Sequence, residues 1–306
     1  MADVNVRSDV AAFLAAAEAS GAPPLNRLPV AEARVAIRAL GNLADADPVD
    51  LARVCDIACP GPGGAIPLRL YDRRASRPDG PVIIFYHGGG FVFGDLESHD
   101  SFCRWLADRT DLPVIAVDYR LAPEHRFPGF TDDADAAARW IATGFPELGF
   151  APTGLITCGD SAGGHLAIHV AQVLAQRPAK VEVIAQWAIY PFVGAGHDWE
   201  SCRLFGEGYM LTAEAINWID DLCAGVPEDP RFNLMLGEVP AKTPLLMLVA
   251  GLDPLRDQGR AYAEKARAAG ATVVELEAEG MSHGFVTIRR ALSSSADDLE
   301  RLVTAG

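Results

Sequence analysis

Gly159-Asp160-Ser161-Ala162-Gly163-Gly164 is the stretch that decides the fold class, because of what stands on either side of it. Leu155–Cys158 before it is a short apolar run, and Ala162–Gln176 after it has the pattern of a helix. A chain passing from strand to helix here must turn sharply and hold Ser161 in a strained backbone conformation. Side chains at 159 or 163 would collide with the adjoining strand and helix, so both positions call for glycine. The turn presents the Ser161 hydroxyl at the C-terminal edge of a sheet, next to a helix N-terminus that favours developing negative charge. A glycine-rich turn without chemistry could carry the same letters. The strand before it and the helix after it favour a nucleophile.

Outward from this turn, short apolar runs alternate with longer amphipathic ones. The strand candidates are Pro81–Tyr86, Pro113–Asp118, Leu155–Cys158, Val183–Ile189, Leu245–Ala250 and Thr272–Leu276. They are rich in Val, Ile and Leu with little polar alternation, as expected of parallel strands buried on both faces. Ser98–Arg109, Thr131–Thr143, Ala162–Gln176, an interrupted Ser201–Leu222 and Asp257–Ala269 read as helices. The alternation predicts an α/β fold with a mainly parallel sheet between helices. Val54–Ala58 and Ile66–Tyr71 flank Pro60–Gly64, a hairpin signal with a long loop. Residues 1–50 are Ala-rich, broken at Gly21–Pro24, and read as two or three helices outside the sheet.

Composition narrows the function classes. The chain has 306 residues, 50% of them hydrophobic, and needs neither disulfides nor metal to build a core. Its formal net charge of −15 disfavours nucleic acid and anionic membrane surfaces as partners. The six cysteines are sparse, and only Cys55 and Cys59 lie close together, without a second pair at zinc-site spacing. They read as buried free thiols, which suits a reducing compartment. Ala11–Ala17 is apolar, but Asp3 and Asp9 spoil a basic leader and Glu18 ends the run. An amphipathic helix and a cytoplasmic location are expected, and no stretch reaches the ~20 apolar residues of a membrane span.

Three further segments carry chemistry. His87-Gly88-Gly89-Gly90-Phe91 ends the strand Pro81–Tyr86 and leaves backbone N–H groups unobstructed. Gly88 and Gly89, with Ala162, are the expected oxyanion donors, and His87 is a structural clamp for the loop. Phosphate-loop readings fail: there is no Walker Lys-Ser/Thr pair, and Phe93 stands where a dinucleotide fingerprint needs glycine. The base should follow Ser161 in the chain. His283, in Gly280-Met281-Ser282-His283-Gly284, follows the last strand; His165 and His169 sit on the nucleophile's own helix, and His197 is the one rival. Asp253, just after Leu245–Ala250, is the expected acid, with Asp257 assigned to capping the next helix.

Together these motifs resemble the hormone-sensitive-lipase-like family of bacterial esterases, in its branch with a Gly-Asp-Ser-Ala-Gly elbow. Gly94–Asp100, Asp118–His125 and Asp253–Gly259 match as well, so the likeness spans roughly residues 54–290. Gln258, where Glu is frequent, and Phe232-Asn233-Leu234, where Ser-Pro-Leu is common, depart from the pattern. The resemblance implies an eight-stranded, mostly parallel sheet flanked by helices, with one antiparallel strand near the start. It implies a helical cap from residues 1–50 and 194–225 over a catalytic domain of residues 51–193 and 226–306. It implies Ser161, Asp253 and His283 as a triad, cleavage of short- and medium-chain carboxylic esters, and no cofactor or metal. Phe91, Trp199, Tyr209, Met210 and Phe285 are candidate walls of an acyl pocket, with Phe93 and Phe205 equally suited to core packing. The expected partner is a small ester, and a homodimer through the strand near Thr272–Leu276 is expected from the family. The alternatives are an amide or lactone hydrolase on the same scaffold, or a non-catalytic ligand receptor.

Overall fold

The computed structural model describes residues 5–306 apart from residues 195 and 197. Its strands are β1 (Arg53–Gly61), β2 (Gly64–Asp72), β3 (Gly80–Tyr86), β4 (Val114–Val117), β5 (Pro152–Asp160), β6 (Val183–Ile189), β7 (Leu245–Leu252) and β8 (Val273–Ser282). They form one eight-stranded sheet in the order β1-β2-β4-β3-β5-β6-β7-β8. Only β2 runs against its neighbours, pairing antiparallel with both β1 and β4. The sheet is therefore the expected mostly parallel one.

Burial on both faces explains the apolar strand runs. On β3, Val82, Ile84 and Tyr86 enter the cluster beneath α4 (Gly129–Ile141) and α5 (Ala162–Gln176). Ile83 and Phe85 enter the opposite cluster with Phe102 and Leu106 of α3 (Asp100–Thr110). Side chains alternate across a strand, so a run apolar at every position fills two cores at once. The C-terminal helix α9 (Ala296–Ala305), which the sequence reading did not anticipate, adds Leu299 and Leu302 to the second core.

The hairpin differs from its expectation. Pairing runs on to Gly61 opposite Gly64, leaving only Pro62 and Gly63 in the turn. The strands stay in register through Cys59 opposite Ile66 and Pro60 opposite Ala65, so the turn is short although its composition reads as a loop. Cys59 is buried and Cys55 half-buried on the inward side of this edge strand.

Two groups of helices lie over the C-terminal edge of the sheet. The N-terminal group is α1 (Ser8–Ala19) and α2 (Val30–Ala44), with a short 3₁₀ turn at Leu25–Arg27. In α1 only Val10 is fully buried, with Phe13 and Leu14 packed against the core, so its apolar face is narrow. The second group is α6 (Glu200–Phe205) and α7 (Ala213–Cys223), interrupted at Gly206 and Gly208 as the sequence suggested. The remaining long helix, α8 (Arg256–Ala268), packs on β7. Among the described residues no helix is long and apolar enough to cross a membrane.

Candidate active site

The turn between β5 and α5 has the strain its sequence implies. Ser161 sits at φ 54°, ψ −118°, a backbone conformation that costs a non-glycine residue energy and is held by its surroundings. A Cβ at Gly159 would lie 2.3 Å from the Gly163 carbonyl oxygen, and one at Gly163 would lie 1.8 Å from that of Tyr86. Glycine is obligatory at both places. The Ser161 N–H donates to the Ile189 carbonyl (2.8 Å), which ties the bend to β6.

Two loops from later strand ends complete a hydrogen-bonded chain at this hydroxyl. His283 follows β8, and its Nε2 lies 2.8 Å from Ser161 Oγ. Its Nδ1 lies 2.7 Å from Asp253 Oδ2, at the end of β7. With the proton on Nδ1 donated to the carboxylate, Nε2 is left to accept from the serine hydroxyl. Asp253 is fully buried, and its other oxygen accepts the Leu255 N–H at 2.8 Å, which fixes the carboxylate plane. The Tyr190 ring packs 4.7 Å from the imidazole. This arrangement can remove a proton from Ser161, hold it, and deliver it to a leaving group.

The other expectations separate. His165 and His169 are buried on α5, and burial pushes their imidazoles down to about 4 and about 3. They are packing residues. His197 lies outside the described residues. Asp257 does not cap its own helix: Leu255 holds the cap position, because Asp253 Oδ1 engages the Leu255 N–H and starts α8 early. Asp257 instead accepts the Ser201 N–H (2.8 Å) in the first turn of α6, and its own N–H donates back to Ser201 Oγ. It caps the neighbouring helix.

The glycine loop after β3 requires one correction. The Gly88 N–H is already engaged: it donates to Asp160 Oδ1 at 2.8 Å and has His99 Nε2 as a second, longer acceptor at 3.3 Å. A Cβ at Gly88 would lie 2.3 Å from Asp160 Oδ2, so glycine is needed here to admit that carboxylate. The carbonyls of the loop are paired as well. The Gly88 carbonyl accepts from His87 Nδ1 (2.8 Å), the Gly89 carbonyl from the Val92 and Phe93 N–H groups, and the Gly90 carbonyl from the Cys223 thiol (3.3 Å). The N–H groups of Gly89, Gly90 and Ala162 have no partner among the described residues. All three residues line the same cavity as Ser161. Unpaired backbone N–H groups beside a nucleophile are what an oxyanion needs. His87 clamps the loop as expected. It stacks on Tyr119 (4.2 Å), whose hydroxyl donates to the His87 carbonyl, and burial together with nearby His99 pushes the ring down to about 4.

A family model described as the alpha/beta hydrolase fold matches residues 83–287, which include the elbow, the glycine loop and His283. The chain belongs to the α/β-hydrolase family. It is 40% identical over 267 residues to the carboxylic ester hydrolase LipN of Mycobacterium tuberculosis, covering 82% of this chain and 69% of that one. It is 35% identical over 313 residues to an ethyl acetate hydrolase of Pseudomonas putida, covering 99% and 98% of the two chains. Among solved structures, the ester hydrolase EH1AB1 from the metagenome of Lake Arreo superposes with a TM-score of 0.89 at 34% identity, covering 98% of each chain. The likeness to hormone-sensitive-lipase-like esterases read from the motifs holds across the whole fold.

A cavity of about 240 Å³ opens above Ser161 and His283. Of the expected wall residues, Phe91 and Met210 line it, and so does Phe93. Trp199, Tyr209 and Phe285 do not. Phe285 is fully buried, edge-on to Tyr190; Tyr209 packs edge-on to Phe205; Trp199 precedes α6, its carbonyl accepting from the first turn. The walls that sequence reasoning missed come from the two helix groups: Leu25, Ile37 and Leu40 on one side, Ile216, Trp218 and Ile219 of α7 on the other. The i, i+3 spacing of Ile37 and Leu40 on α2, and of Ile216 and Ile219 on α7, marks apolar helix faces. It does not say what those faces cover.

Proposed function

We infer that the chain hydrolyses carboxylic esters of short- and medium-chain acids through an acyl-enzyme. The observation that carries this reading is the unbroken chain from Ser161 Oγ to His283 Nε2 (2.8 Å) and from His283 Nδ1 to Asp253 Oδ2 (2.7 Å), beside unpaired backbone N–H groups. Ser161 attacks the ester carbonyl as His283 takes its proton. Asp253 holds the imidazole tautomer and stabilises the imidazolium. The oxyanion is received by the N–H groups of Gly89, Gly90 and Ala162, in place of the Gly88 of the original expectation. His283 then protonates the leaving alcohol, and water repeats the cycle on the acyl-enzyme. The names of the two curated relatives, both ester hydrolases, support ester over amide or lactone cleavage. No separate cofactor is needed for any of these steps.

The test is a panel of p-nitrophenyl esters with Ser161→Ala and His283→Ala. Both variants should fold and lose about 10⁴-fold or more in kcat. Only chains with Ser161 intact should take a fluorophosphonate label. Wild-type turnover by folded Ser161→Ala would refute the reading.

Three coarser expectations belong to the same reading. Residues 1–50 and 194–225 act as a cap, supported by their contribution to the cavity wall. A homodimer forms through β8, which is an edge strand, and sedimentation showing only monomer would dismiss it. The enzyme works in the cytoplasm, which suits its free cysteines; recovery in the medium after fractionation would count against this.

A further inference from the structure

Asp160 stands next to the nucleophile, yet it makes no contact with Ser161 Oγ or His283 that the reaction scheme uses. It is almost fully buried. Burial by itself would raise its carboxyl, but attraction and hydrogen bonding from His99, with the Gly88 N–H, hold it below the usual carboxylate range. A buried carboxylate one residue from a developing oxyanion repels it, so its retention calls for a reason.

The reason lies in its partners. Asp160 Oδ1 accepts the Gly88 N–H at 2.8 Å and has His99 Nε2 at 3.3 Å, while Oδ2 faces the Tyr190 hydroxyl at 3.4 Å. Gly88 is the first glycine of the loop whose next two N–H groups are left unpaired. That loop has an irregular path, with φ of 113° at Gly89, 61° at Gly90 and 60° at Phe91. Rotating the peptide that carries the Gly88 N–H would swing the peptides after it. The carboxylate therefore links the serine elbow to the glycine loop and sets the distance and facing between nucleophile and oxyanion donors.

We propose that Asp160 is a positioning residue, anchoring the Gly88 N–H so that the Gly89 and Gly90 N–H groups face the carbonyl attacked by Ser161. This rests on the ester-hydrolase reading above. It differs from that reading's oxyanion donors in assigning their alignment to a side chain on the other loop. His99 and Tyr190 hold the anchor, and Gly88 is glycine to make room for it.

The test compares Asp160→Ala and Asp160→Asn with wild type in three measurements. These are kcat and KM on p-nitrophenyl butyrate, inhibition by an aryl trifluoromethyl ketone, and labelling of Ser161 by a fluorophosphonate. The serine oxygen adds to the ketone carbon as His283 takes its proton, which places an alkoxide where the oxyanion forms. For Asp160→Ala, kcat should fall about 10²-fold, and ketone affinity should fall by a similar factor. KM should change less than threefold. Asparagine keeps an acceptor for the Gly88 N–H, so Asp160→Asn should stay within tenfold of wild type in both kcat and ketone affinity. A general loss of structure would not separate KM from kcat in this way, nor be relieved by asparagine. Alanine activity within threefold of wild type overturns the proposal. So does a folded asparagine variant that loses 10²-fold in kcat, a result that stands even where the alanine variant does not fold. If wild type neither turns over esters nor takes the label, the ester-hydrolase reading fails instead.

Discussion

His283 and Asp253 show how much a single pair of side chains carries here. The imidazole can act as a base only if its proton sits on the side of Asp253, and Asp253 has no other partner for Oδ2 than His283 among the described residues. Asp253→Asn keeps the size and the bond to the Leu255 N–H, but it can present an N–H to His283 and favour the wrong tautomer. We expect kcat to fall about 10⁴-fold with little change in KM or thermal stability, read by steady-state kinetics and a melting curve. A drop of less than tenfold would mean that the carboxylate only fills space. At this scale the sequence was legible where chain order and glycine neighbours constrain chemistry. Gly88 was misassigned because its letter is the same whether it serves an oxyanion or admits a carboxylate. Only the Asp160 contact separates the two roles.

Single helices decide what the site accepts. Trp218 on α7 lines the cavity, its ring stacked 5.8 Å from Phe93. Removing the indole should lengthen the apolar space, so Trp218→Ala should move the kcat/KM optimum from short esters toward octanoate and decanoate. An unchanged chain-length profile would place the acyl chain elsewhere. The end of α2 is fastened differently. Asp45, its C-cap, accepts from Arg289 Nε (2.8 Å), Nη2 (3.0 Å) and N (3.1 Å), and both residues are buried. Asp45→Ala would strand a buried guanidinium, so a cost of about 3–5 kcal/mol is expected in denaturant unfolding. A change below about 1 kcal/mol would show that water readily replaces the carboxylate. Apolar spacing revealed these helices in the sequence. Their destination was not readable, because an amphipathic face is the same against a sheet as over a cavity.

Across the whole molecule, buried histidines set the response to acid. His87, His165 and His169 are neutral in the interior, at about 4, about 4 and about 3, against an ordinary value of 6.5. In the unfolded chain each takes up a proton below about pH 6.5. Between there and about pH 4 the unfolded state binds more protons, and stability falls as pH is lowered. Asp118, which burial lifts to about 6, works in the opposite direction over part of this range. Three histidines against one carboxylate leave a net loss on the order of 5 kcal/mol from pH 7.5 to pH 5. The thermal midpoint should drop by several degrees over that interval. A midpoint that stayed level would show that these rings reach solvent.

The sequence by itself determined the α/β alternation, the strained elbow at Ser161, and the order in which acid and base follow it. These depend on neighbours along the chain: glycines where a Cβ has no room, apolar runs where both faces are covered, loops at strand ends. Tertiary structure alone decided which N–H groups remain unpaired, which helix Asp257 caps, and which apolar residues wall the cavity. Those depend on partners tens to hundreds of residues away, and hydrogen bonds and packing across such distances leave no periodicity in the chain to read.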